Sequence, residues 1–295
     1  MKTAAIAVES RPRGLADFAE LVKARLTLLV LLTTAVGFYL GAPQGVQAVA
    51  LFHAVFGTAL AAAGAAALNQ WWERQLDALM HRTRARPIPA GRMAAREALI
   101  LGSILSLGGI AYLAAATNAL AAFLAGLTIV LYIFAYTPLK RISTTNTLIG
   151  AIPGAIPPMI GWGAARGELD LGAWSLFAIL FFWQMPHFFA LAWMYRVDYA
   201  RAGFRMVSSD DESGARSSSQ AVLFCMLLLI VSGIPFYIRL TSAVYLGCAL
   251  ALSGLFITMA MRFHQGRTAK DARNLFLTSI IYLPLLLAAL VFTKA

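Results

Sequence analysis

Apolar residues in this chain come in long runs, not in the narrow stripes of a soluble amphipathic fold. The runs fall at about 26–42, 47–69, 97–116, 119–137, 145–164, 172–194, 219–239, 242–261 and 274–293. Each is long enough to cross a hydrocarbon layer of ~30 Å as a helix. The pattern predicts an all-α polytopic membrane protein with nine transmembrane helices. Polar residues 1–25 read as a cytosolic N-terminal tail leading into an interfacial segment, and 26–295 as a single transmembrane domain. The tail carries Glu9, Asp17 and Glu20 without an apolar core or a small-residue cleavage site, which argues against a cleaved signal peptide.

Composition agrees with the pattern: 60% hydrophobic, 13% charged, mean hydropathy +0.74. The net charge of +11 does not point to nucleic acid, because no basic tract stands apart from the apolar runs. Of 24 Lys and Arg, only Arg166, Arg239 and Lys294 fall on one side of a nine-span arrangement. That asymmetry puts the N-terminus in the cytoplasm and the C-terminus outside. An even number of spans scrambles it. Cys225 and Cys248 lie in apolar runs with no paired spacing and read as small packing residues.

The polar residues then show where chemistry concentrates. Asn69, Glu73 and Asp77 are spaced i, i+4, i+8, which on a helix keeps them within an arc of about 80°. An amide and two carboxylates form an oxygen ladder suited to Mg²⁺, which takes few protein ligands and the rest from water and phosphate. Arg82, Arg84 and Arg86 follow, and guanidinium forks match phosphate oxygens. A solvated loop carrying topology charges is the plainer alternative. Trp71 and Trp72 read either as an interfacial belt or as a wall facing a flat or cationic ligand. Lys140 and Arg141, after Tyr136-Thr137-Pro138-Leu139, are either snorkelling cations or clamps on an anion.

The fifth run holds Gly150, Pro153, Gly154, Pro157, Pro158 and Gly161. It must kink or break, and irregular backbone at membrane depth belongs beside a cavity or a covering protein wall. The sixth run contains Trp183-Gln184-Met185-Pro186-His187-Phe188. An ionisable residue within a span is a candidate functional group, and a histidine bonded to a neighbouring helix is the alternative. Asp198, just past that run, is a second carboxylate on the same membrane side as Asp77. Asp210, Asp211 and Glu212 read more simply as a solvated acidic turn. A transporter of an anionic or lipid substrate is disfavoured, since transporters place binding groups near the midplane within internal repeats.

Four elements, in order and on one side, carry a family resemblance. Asn69-x₃-Glu73-x₃-Asp77 with Arg82-Thr83-x₂-Arg86-Pro87 resembles the first acidic motif of the UbiA-type intramembrane prenyltransferases. Tyr136-Thr137-x-Leu139-Lys140-Arg141 with Asn146, Gly150, Gly154-Ala155, Pro157-Pro158 and Gly161-Trp162 resembles their haem-farnesylating branch. Trp183-Gln184-x-Pro186-His187-Phe188 and Asp198-Tyr199-x₂-Ala202-Gly203-x₂-Met206 do so as well. The match spans about residues 20–290.

The resemblance implies a nine-transmembrane-helix bundle with a central cavity opening to the cytoplasmic side of a bacterial inner membrane. It implies farnesyl diphosphate and haem B as substrates, haem O as product, and Mg²⁺ as cofactor. It implies haem A synthase or oxidase-assembly proteins as partners. By position, Asn69, Glu73, Asp77 and Asp198 would hold Mg²⁺ and diphosphate. Arg82, Arg86, Lys140 and Arg141 would neutralise the leaving group, with Asp77, Lys140, Arg141 and Asp198 the catalytic set. His187, Gln184, Trp72 and Tyr136 are candidates for the acceptor wall, and a quinone-precursor or chlorin-type acceptor is the alternative. Two departures stand out: Glu73 where the family motif usually has Asp, and Val207-Ser208-Ser209-Asp210-Asp211 where the branch usually continues apolar.

Overall fold

The computed structural model describes residues 14–43 and 45–295. Among them, nine helices are long and apolar enough to cross a membrane. A short helix, α1 (Leu15–Leu21), precedes α2 (Ala24–Gly41), α3 (Ala48–Asp77) and α4 (Ala95–Ala116). Then come α5 (Ala119–Leu139), α6 (Asn146–Arg166) and α7 (Leu171–Met194). A surface helix α8 (Arg196–Arg201) leads to α9 (Ala215–Tyr237), α10 (Ala243–Gly266) and α11 (Ala269–Phe292). Nine alternating spans put the loops 78–94, 140–145 and 195–214 at one end of the bundle, together with α1.

The third element runs further than its apolar stretch. α3 is helical for 30 residues, so Asn69, Glu73 and Asp77 stand on one continuous helix past the end of the apolar run. The proline-rich α6 divides into Asn146–Ala155 and Pro157–Arg166, with the break at Ile156. Pro157 and Pro158 bring no N–H to the preceding turn, and Pro is well suited to open a new helix. α6 and α7 are the most enclosed spans: 61% of the apolar stretch of each is buried, against 28–39% elsewhere. They form the centre of the bundle.

Small residues set the crossings, because close van der Waals approach drives helix association where lipid is as apolar as the side chains. α2 crosses α6 with Gly37 against the Pro158 carbonyl and Gly161 against the Thr34 carbonyl. α3 meets α4 through Gly64 against Ser106 and Gly109 against Ala61. A Cβ at any of these four would collide with backbone.

The segment before α2 is not free. Leu21 is fully buried, Gln70 Nε2 donates to the carbonyls of Glu20 and Leu21 at 2.8 and 2.9 Å, and Arg92 donates to Asp17 and Glu20. Residues 14–23 are thus pinned to α3 and to the loop after it. The tail residues before 14 lie outside the described residues. At the opposite end, Lys294 Nζ donates to the carbonyls of Tyr39 and Ala42, which ties α11 back to α2.

These contacts predict that Gly37→Ala and Gly161→Ala each lower stability by about 1–3 kcal/mol through overpacking. Gly108→Ala, which meets nothing within 4 Å, should leave it unchanged or raise it slightly. Thermal unfolding in detergent compares the three.

Candidate active site

A cavity of about 390 Å³ opens between α2, α3, α5, α6 and α7. One end is charged. Lys23, Asn69, Glu73, Asp77, Arg82, Arg86 and Lys140 all line it, with Tyr132 and Tyr136. The remaining walls are largely apolar, with Leu29, Val30, Ala65, Leu180 and Leu283, and also carry Gln184 and His187. A polar mouth over an apolar pocket suits an amphiphile with an anionic head.

The helical spacing of α3 places its three oxygen-bearing side chains on the cavity face. Each has found a basic partner from another element. Lys140 Nζ lies 2.7 Å from Glu73 Oε1 and Arg86 NH1 lies 2.6 Å from Asp77 Oδ2. Lys23 Nζ donates to Asn69 Oδ1 at 2.6 Å and to Tyr132 Oη at 3.1 Å. Asn69 is held from behind by its own Nδ2, which donates to Thr137 Oγ1. Glu73 is 4% exposed and Asp77 1%, so charges here are carried by their partners and not by water. Burial pulls the Lys140 ammonium downward, but the Glu73 carboxylate outweighs it and holds Lys140 above the ordinary lysine range. Lys23 goes the other way. Burial, with the Arg86 and Lys140 charges nearby, brings it down to about 7 against the opposing pull of Glu73 and Asp77.

α5 presents Tyr132, Tyr136 and Lys140, again spaced i, i+4, i+8, to the cavity, and it widens to a π-helix over Leu131–Tyr136. Pro138 follows and cannot donate to the Phe134 carbonyl, which accounts for the loosened turn. Such turns recur at functional sites. The tyrosine rings stack with centroids 5.7 Å apart, and Lys140 Nζ lies 4.4 Å from the Tyr136 ring.

Lys23 was hidden in the sequence among the topology charges. It enters the site because the chain breaks between α1 and α2 there, with Lys23 left-handed at φ 49°. Side chains other than glycine, Asn and Asp seldom adopt that conformation, and it clusters at functional sites. The only sequence sign was a lysine wedged between Leu21-Val22 and an apolar run.

Several other residues singled out from the sequence lie elsewhere. Arg141, in the turn after α5, is exposed and does not line the cavity. Trp72 is 39% exposed on the outer face, edge-on to Phe134. Asp198 sits on α8, accepts from Arg201 at 3.1 Å and from the Arg82 amide at 3.3 Å, and does not line the cavity. With Tyr195 and Tyr199, whose rings flank the Arg82 guanidinium, it holds Arg82 at the rim. Asp211 closes the start of α9 by accepting from the Ser217 amide at 2.7 Å. Burial opposes its charge, but the Ser217 and Arg216 amides hold its carboxyl below the usual range. The acidic turn is therefore part of a helix start, and Asp210 and Glu212 are exposed.

Gln184 and His187 do line the cavity. Gln184 Nε2 donates to the Leu180 carbonyl at 3.0 Å, and its Oε1 occupies the space a Cβ at Gly154 would need. The charged end offers a hard cation suitable donors. Asp77 Oδ1 is a buried acceptor with no hydrogen-bond partner, and Asn69 Oδ1 accepts from Lys23 Nζ. No group of three His, Cys, Asp or Glu is clustered as a ready-made metal site among the described residues.

Residues 30–286 match the UbiA prenyltransferase family. The chain belongs to that family. Its fold agrees: a solved structure of digeranylgeranylglyceryl phosphate synthase superposes with a TM-score of 0.79 at 15% identity, covering 95% of this chain and 98% of that one. A UbiA homolog from Archaeoglobus fulgidus bound to GPP and Mg²⁺ gives 0.62 at 16%, covering 94% and 100%. Among curated UbiA relatives, a protoheme IX farnesyltransferase of Solibacter usitatus is 43% identical over 92% of this chain and 96% of its own length. One from Opitutus terrae is 45% identical over 94% of both. The protein is thus a multi-pass membrane prenyltransferase of the UbiA family.

Because Glu73 and Lys140 are buried together, removing either leaves the other uncompensated. Glu73→Gln or Lys140→Met alone should cost about 3–5 kcal/mol, and the double variant should recover most of it. A double-mutant cycle in thermal unfolding measures this, and additive losses would count against the pairing.

Proposed function

We propose that this UbiA-family enzyme transfers a farnesyl group from farnesyl diphosphate to a vinyl group of haem B, giving haem O. What supports the reading is the buried Asn69–Glu73–Asp77 ladder, interleaved with Lys23, Arg86 and Lys140, at the mouth of an apolar cavity. The donor set favours a prenyl diphosphate, and the acceptor comes from the curated relatives, which are named as protoheme IX farnesyltransferases.

Asn69, Glu73 and Asp77 would hold Mg²⁺ through oxygen. When bound, the ion supplies Lewis-acid neutralisation of the diphosphate. The chain's own cations do the rest. Arg86, Lys140 and Lys23 are released from their carboxylate and amide partners as the anion and its metal arrive, and Arg82 closes the rim. They stabilise the charge that grows on the diphosphate as the allylic C–O bond breaks, with the electron pair leaving on oxygen. The stacked Tyr132 and Tyr136 rings offer π faces to the allylic cation, and the apolar walls keep water from it. The haem vinyl carbon then bonds to the farnesyl carbon. Water adds to the resulting cation and loses a proton, which leaves the hydroxyethyl group. Asp198 acts on this chemistry through its hold on the Arg82 loop.

The enzyme's setting is the bacterial plasma membrane, with the charged mouth and N-terminus toward the cytoplasm. The placement of all but three of its 24 Lys and Arg on one side supports that orientation.

The decisive assay uses purified protein in detergent with Mg²⁺, haem and farnesyl diphosphate, following haem products by chromatography and mass. A farnesylated, hydrated haem is expected. It should vanish with EDTA and fall at least about 10²-fold in Asp77→Ala and Arg86→Ala. Mg²⁺-dependent diphosphate release with a different aromatic acceptor, and no haem product, would discard the haem assignment and keep the donor site.

A further inference from the structure

The cavity has a second polar feature, separate from the carboxylate ladder. His187 on α7 lines the cavity and is half-buried. Its Nδ1 lies 2.7 Å from Ser279 Oγ on α11. Ser279 Oγ in turn lies 2.5 Å from the Phe276 carbonyl oxygen. A carbonyl only accepts, and a serine hydroxyl carries a single hydrogen. Two oxygens that close need that hydrogen between them, so the hydroxyl donates to Phe276. Ser279 Oγ must then accept from His187. The imidazole proton is therefore on Nδ1, and Nε2 carries a bare in-plane lone pair.

The surroundings hold the ring in that state. Trp183 Nε1 donates to the Ser279 carbonyl at 2.8 Å, so α7 grips the same serine by backbone and side chain, one helical turn apart. The Phe276 and Trp183 rings lie 4.6 and 5.5 Å from the imidazole and limit its rotation. One nitrogen anchored as a donor with the other left bare is the arrangement that metal-ligating histidines show. The diphosphate chemistry makes no use of it.

We propose that His187 Nε2 is the axial ligand to the iron of the metalloporphyrin acceptor, and that Ser279 is the positioning residue that fixes the required tautomer. This deepens the haem-acceptor reading and rests on it. Coordination places the nitrogen lone pair in an empty metal orbital. No electron is transferred and no proton leaves, because Nε2 carries none. The site then selects a metal-containing macrocycle over a metal-free one.

Ferric haem titrated into the purified protein in detergent, followed by Soret absorption and EPR, tests this. The wild type should show a nitrogen-ligated signature. His187→Ala should lose it, regain it with added imidazole, and still bind farnesyl diphosphate with Mg²⁺, which shows that it is folded. Ser279→Ala should weaken haem binding by about 10–100-fold, and Ser279→Thr should restore it. Metal-free protoporphyrin should bind wild type and His187→Ala equally. A wild-type spectrum in His187→Ala overturns the proposal, as does lost turnover with an unchanged spectrum, which would make His187 a proton-transfer group. If wild type farnesylates haem yet shows no nitrogen ligation, only the ligand assignment fails. If it farnesylates another acceptor and never haem, the haem reading itself falls.

Discussion

Everything in this molecule is arranged around the need to keep charges paired where water is scarce. Glu73 and Asp77 are buried at the end of a membrane helix, and each is matched by one cation from a different part of the chain. An unpaired charge at such a depth is costly, so these contacts hold the loop after α3 and the end of α5 against the ladder. The same pairing leaves the site responsive. In the proposed reaction, a diphosphate with its metal would present the opposite charges to both sides of each pair, so that partners would be exchanged and none left bare.

Packing supplies the space that pairing needs. Glycines at the α2–α6 and α3–α4 crossings bring backbones into contact. Alanines on α3 and the broken α6 leave room on the inner side. The outcome is a pocket that combines a cluster of charged side chains with largely apolar walls. Ionisation needs preorganised charge, whereas the carbocation it yields needs dry, π-rich walls. α5 serves both, because Tyr132, Tyr136 and Lys140 all line the pocket. In the same cavity, a histidine on α7 is anchored through one nitrogen to Ser279 on α11.

The sequence by itself determined the parts that depend on local periodicity. Runs of about 20 apolar residues announce helices in a membrane, charge asymmetry counts them, and i, i+4, i+8 spacing puts Asn69, Glu73 and Asp77 on one face whatever surrounds them. The prolines of α6 require a break for covalent reasons, and it falls at Ile156. Tertiary structure decided what depends on how each helix is rotated and where distant segments meet. Lys140 faces in and its neighbour Arg141 faces out. Trp72 lies on the outer face, and Asp198 is engaged at the rim. Lys23 enters the site through a left-handed turn that no periodicity encodes. The proton on His187 is settled by Ser279, 92 residues further on. Local backbone geometry repeats along one chain segment and can be read there, but a hydrogen bond or ion pair between helices exists only once packing has fixed their faces.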